Sequence, residues 1–166
     1  MKRIFLLGLL FYSSVIFADV PSLNSVRVLY QKAATEKMSC KILIQLLSSV
    51  DENSNALLQG YKASATMMLA KYTFNPISKL SYFKKGKQML ENAIKADDTN
   101  IELRFLRFAV QSNIPFFLGY HSFIEDDKKI LMETIPLLND TELKNMISAY
   151  FKNSNFLTVN EKQQIK

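Results

Sequence analysis

His121 and Cys40 are the chain's single histidine and single cysteine, and they stand 81 positions apart. Zinc chemistry needs three or four such ligands at short spacings, so this pair supplies neither the number nor the arrangement. Alone, His121 could act as an acid or base beside Glu125, Asp126 or Asp127, or it could cap or pack locally in the lead-in to a helix. A serine nucleophile would need His121 as its only base and a strand-to-helix elbow that the sequence does not offer. Glycine is too sparse for a phosphate-cradling loop, because Gly60, Gly86 and Gly119 lie far apart. Paired carboxylates for glycoside cleavage would have to come from Glu91, Asp97, Asp98, Glu102, Glu125, Asp126 and Asp127, most of which suit helix starts and solvation better. The residues favour a non-enzymatic protein, with no metal and no cofactor expected.

Binding chemistry is easier to locate. Arg104, Arg107, Tyr120 and His121 combine planar guanidinium forks with a phenolic donor, the groups that recognise a carboxylate or another anion. The competing reading pairs the arginines with Asp97, Asp98 or Glu125 in a network that stitches two hairpins, since an otherwise apolar helix must satisfy its charges. The turn from Ile114 to Tyr120 packs Phe116, Phe117 and Tyr120 into seven residues. Folded back, these rings plug the core; exposed, they form an apolar patch for a partner protein, a membrane surface or a hydrophobic ligand. Lys84, Lys85 and Lys87 read as a solvated helix face or as a lipid-headgroup site. Cys40 opens an apolar run and reads as a buried, inert thiol, with intermolecular pairing or a reactive role as the alternative; a lone cysteine cannot make an intramolecular disulfide.

The elements that must position these groups follow from a 3.6-residue apolar period with little strand-like alternation, which predicts an all-α fold of antiparallel hairpins with six or seven helices. The first runs from Ser22 toward Glu36. The apolar segment from Ile42 to Val50 is a second helix or the first one continued after a bend. A third, capped by Asn53 or Ser54, carries Leu57, Gly60, Tyr61, Ser64, Ala65, Met68, Leu69 and Tyr72 on its stripe. Asn75-Pro76 starts a fourth with Ile77, Leu80, Phe83, Gly86, Leu90 and Ala93 inward. Reciprocal caps are expected at Thr99 with Glu102, Ser122 with Glu125, Asn139 with Glu142, and Thr158 with Glu161. They delimit helices over 100–112, 123–135, 140–152 and a short terminal one over 159–165. The helix from Ile101 to Gln111 is apolar on two sides, which places it centrally.

Lys2 and Arg3 precede an apolar run, and Ile16-Phe17-Ala18 ends it at a small residue, so residues 1–18 read as a cleaved secretory signal. That leaves 148 of the 166 residues, 19–166, as a single helical domain, and lowers the net charge from +6 by the two charges of Lys2 and Arg3 to +4. So mild an excess, scattered among carboxylates, falls short of a nucleic-acid-binding stripe. No later segment is long and apolar enough to span a bilayer. The expected location is the periplasm or exterior of a Gram-negative bacterium.

The stretch from Phe83 to Asn100 resembles the second helix and exit turn of a tetratricopeptide repeat. Gly86, Leu90, Ala93 and Asp98 stand at that family's spacings of four, three and five, with Asp98 where proline is usual. Leu58, Gly60 and Tyr61 resemble its first-helix signature. The resemblance implies a right-handed array of hairpins that binds proteins or peptides. The text from Glu102 to Arg107, leading to Pro115 through Tyr120, also resembles small uncharacterised exported proteins of Bacteroidota. The resulting expectation is a protein or peptide partner in the cell envelope, contacted through Arg104, Arg107, Phe116, Phe117, Tyr120 and His121; the alternative is a small apolar or anionic ligand held between helices.

Overall fold

The computed structural model describes residues 21–165. The expected signal segment, 1–18, lies outside them. Among the described residues there are eight α-helices: α1 (Leu23–Ala33), α2 (Lys37–Leu46), α3 (Ala56–Tyr72), α4 (Pro76–Ala96), α5 (Ile101–Gln111), α6 (Ile124–Thr134), α7 (Thr141–Asn153) and α8 (Val159–Gln164). Single 3-10 turns cover Phe116–Leu118 and Ile135–Leu137. The fold is all-α as expected, with eight helices rather than six or seven. The chain breaks fully at Ala34–Glu36, and the last segment makes a helix of its own.

Packing begins with neighbours in sequence: α1 with α2, α3 with α4 and α5 with α6 form hairpins, and α3 also meets α1, α2 and α5. Cross-links set the directions. The Tyr72 hydroxyl donates to the Ala33 carbonyl at 2.8 Å, and Tyr150 of α7 lies edge-on to Phe105 and Phe108 of α5. The odd-numbered helices therefore run parallel, and the even-numbered α2, α4 and α6 return between them. We call the end where α1, α3, α5 and α7 begin the near end, and the end where they finish the far end. Both α3 and α5 are buried on most sides, with Tyr61, Leu103, Phe105, Leu106 and Phe108 among the fully enclosed side chains of one continuous core.

Close approach of α3 and α4 depends on Gly86. A methyl group there would meet Met67 Cγ at 2.4 Å and the Ala63 carbonyl oxygen at 2.6 Å, and the carbonyl, being backbone, cannot swing aside. A mid-helix glycine costs about 1 kcal/mol against alanine, and this contact offsets it.

Local signals explain where helices start, with shifts of a residue. Asn75 accepts from the amides of Ile77 and Ser78, and Pro76 occupies the first helical position, as expected. The cap of α3 is Asn55, because Ser54 is drawn back into a turn with Asp51. Of the four expected reciprocal caps only Thr158 with Glu161 forms. Asn100 replaces Thr99, in keeping with the stronger capping tendency of asparagine. Asp140 replaces Asn139 while also reaching Arg27, and Phe123 precedes α6 with no side-chain cap. The expected inward stripe of α4 also fails at its start: Ile77 and Leu80 are exposed. With 21 residues against 11 in α5, α4 is about 15 Å longer, so its first turns run on past α5 at the far end.

Candidate functional site

Arg104 and Arg107 project from α5 toward α6, and both meet Asp127, whose side chain is fully buried. Arg107 grips it through two donors, Nε to Oδ2 at 2.7 Å and Nη2 to Oδ1 at 2.9 Å. Its third nitrogen lies 3.3 Å from Glu91 of α4, and its guanidinium plane sits over the Phe123 ring, 4.1 Å from the centroid. Arg104 donates to Asp127 at 3.3 Å and to the Asp98 carbonyl at 2.7 Å. Burial works against the charged form of Arg107, yet the hydrogen bond and charge of Asp127, with the charge of Glu91, outweigh it and the net shift is upward.

Tyr120 joins this network by donating to Glu91. Burial first, and then the carboxylate beside it, push its hydroxyl well above the ordinary tyrosine range, so it remains a donor. Its ring packs edge-on against Phe83 of α4 and lies under Lys87. The arginines are thus tied into an ion-pair network linking α4, α5 and α6, with Asp127 and Glu91 as partners in place of the expected side chains of Asp97, Asp98 and Glu125. An open cleft of about 560 Å³ borders it, lined by Ile94, Arg104, Arg107, Phe123, Asp126, Lys129, Ile130 and Glu133. Its charges are of both signs, and the main donors of Arg107 are already engaged.

His121 lies apart from the carboxylates. Its ring stacks on Phe116 with centroids 4.3 Å apart and an 8° interplanar angle, and Nε2 lies 3.4 Å from the Ile114 carbonyl. This is local packing of the turn. Gly119 closes that turn at φ +61°, a left-handed conformation that a side chain would strain. The Leu118 amide donates to the Pro115 carbonyl and the Gly119 amide to that of Phe116. Ile114 and Leu118 pack on the core, while Phe116 and Phe117 stand 78% and 86% exposed. The turn divides between its two readings: Phe116 and Phe117 face solvent, while Tyr120 folds back into the core.

A second buried cluster escaped the sequence reading. Arg27 of α1 donates in parallel to both carboxylate oxygens of Glu102 on α5, each at 2.7 Å, and at 2.8 Å to Asp140 at the start of α7. Tyr61 of α3 donates to the same Glu102. The Glu102 hydrogen bond pulls the Arg27 pKa upward against its burial, and the Arg27 hydrogen bond lowers that of Asp140. A signal was available, since Arg27 directly follows Val26 on an apolar stripe and Glu102 is the one carboxylate of α5. Either residue on its own reads as an ordinary exposed charge. Cys40 is buried as expected, its thiol 3.7 Å from the Ala65 carbonyl.

Among the described residues no group of three or more histidine, cysteine or acidic side chains could hold a metal ion, and no helix is long and apolar enough to cross a membrane. The chain matches no protein-family model, no curated protein and no solved structure.

Proposed function

We propose that this chain is a non-enzymatic docking protein of the bacterial envelope that grips a protein or peptide partner through the Phe116–Phe117 turn. One observation carries the reading: two adjacent phenylalanines face solvent on a turn whose backbone is fixed on both sides. Aromatic anchors that lose little freedom on binding are the usual source of interface affinity. Glu125 and Asp126 follow in the first turn of α6, so the complementary surface is apolar with a basic flank.

The buried ionisable groups support a scaffold over a catalyst, since Arg27, Arg107, Glu102 and Asp127 are engaged with one another across helices. The order of hairpins and the close α3–α4 contact at Gly86 are in keeping with a tetratricopeptide-like array. Export of a chain processed after Ala18 would place the docking surface in the periplasm or outside the cell.

The test is crosslinking capture from native envelopes with the processed chain and with Phe116→Ser/Phe117→Ser. Both rings are exposed, so the variant should melt within about 0.5 kcal/mol of the parent. Selective loss of partners from the variant is expected. An unchanged set of partners removes the proposal, and N-terminal sequencing of the envelope-derived protein checks the cut at Ala18.

A further inference from the structure

From Asn53 to Leu90 the chain has six lysines, Lys62, Lys71, Lys79, Lys84, Lys85 and Lys87, and no acidic residue. That stretch folds into α3 and α4, and its turn is the protruding far end of the hairpin. Phe74 is 101% exposed and Ile77 80%, and Leu80 one turn further on is exposed as well. Ile77, Leu80 and Lys84 share one stripe of α4 through their spacings of three and four. Lys79, Lys84 and Lys85 are exposed on α4 beside Ile77 and Leu80, while Lys71, also exposed, donates to the Ala34 carbonyl at 2.7 Å.

Three large apolar groups flanked by lysines, on a hairpin whose own chain has no acidic residue from Asn53 to Leu90, match a surface that is negatively charged outside and hydrocarbon beneath. From this we infer that the tip of the α3–α4 hairpin seats on an anionic lipid bilayer: Phe74, Ile77 and Leu80 enter the headgroup boundary and Lys79, Lys84 and Lys85 face the lipid charges. This goes beyond the partner reading and stands on different residues. The Phe116–Phe117 turn leads instead toward Glu125 and Asp126, whose charge repels such a surface. It nevertheless lies at the same end of the molecule, so a protein held there would sit close to the membrane.

Vesicle flotation tests the inference on the chain beginning at Asp19. The core runs from Val26 to Ile165, so this chain keeps all of it, and a cooperative thermal melt checks the fold before lipid is added. Binding is expected to vesicles with about one third phosphatidylglycerol and to fall away on purely phosphatidylcholine vesicles or at high salt. Phe74→Ser/Ile77→Ser should weaken it by about tenfold or more, and neutralising Lys79, Lys84 and Lys85 to glutamine by about fivefold for each lysine. Phe116→Ser/Phe117→Ser should bind vesicles like the parent, which separates a failure here from a failure of the docking proposal. Equal binding to neutral vesicles, or parent-like binding by the Phe74/Ile77 variant, overturns the inference. So does lysine-dependent binding of polyglutamate without any vesicle binding, which would assign the tip to an acidic protein.

Discussion

Two buried arginines, Arg27 and Arg107, hold this molecule together in different ways. Each grips a carboxylate through two parallel donors, but Arg27 reaches residues 75 and 113 positions away, whereas Arg107 reaches residues 20 and 16 positions away. The first is a clasp between the beginning of the array and its later helices. The second belongs to a contiguous unit of α4, α5 and α6. Burial of the central pairs does not separate them, since Arg27 and Glu102 are 6% and 4% exposed and Arg107 and Asp127 6% and 0%; the difference lies in Arg104, which is 24% exposed and carries the second network to an open cleft. In either pair the survivor keeps the cost of its burial when one member is lost, but at the clasp that loss also parts helices that are distant in the chain.

The sharpest way to break this contrast is Glu102→Gln. It leaves the Arg27 charge leaning on Asp140 and the more distant Glu142, and it weakens the acceptor for Tyr61. A loss of about 3–5 kcal/mol in denaturant unfolding is expected. Asp127→Asn should cost less, about 2–3 kcal/mol, since Glu91 still faces Arg107 and the 24% exposed Arg104 can turn to water at the cleft. Equal losses, or a larger one at Asp127, would reverse the ranking of the two clusters.

The smallest effect sharpens the contrast through pH. Hydrogen bonding to Arg27, then the Leu143 amide, holds the Asp140 pKa below its unfolded value. Its contribution to stability is therefore present above a pH of about 4 and is lost as pH falls through the lower folded value. The Asp140 side chain is 43% exposed, so solvent screens the pair, and Asp140→Asn should remove only about 0.5 kcal/mol at neutral pH. The same variant should flatten the acid limb of a pH-stability curve. An unaltered acid limb would show that neither the Arg27 pair nor the α7 cap favours the charged form of Asp140.

The helices were legible because the apolar period and the punctuation agreed over most of the chain, as at Asn75-Pro76. Caps slipped by one residue where two capable side chains were adjacent, and tertiary demand chose between them: Asp140 serves both α7 and Arg27. The inward stripe of α4 was misread at Ile77 and Leu80 because periodicity describes a face and cannot say where the neighbouring helix stops. Within the proposed contact region the sequence placed Arg104 and Arg107 on one face of α5 correctly but missed their main partner. Asp127 ends the run Glu125-Asp126-Asp127, which reads as a solvated helix start, and only the approach of α5 buries its third member. Arg27 and Glu102 were harder still, since their pairing is a product of the parallel arrangement of α1 and α5.

The enclosed thiol of Cys40 has one more consequence. Two copies of this chain cannot be covalently joined in an oxidising compartment until α2 lifts away from α3, because the sulfur rests against the Ala65 carbonyl with no path to its counterpart. Burial also raises the thiol's pKa, which keeps it in the less reactive protonated form. The side chain is in effect a built-in clock: with reagent in excess, the pace at which it meets an added thiol reagent is the pace at which α2 parts from α3.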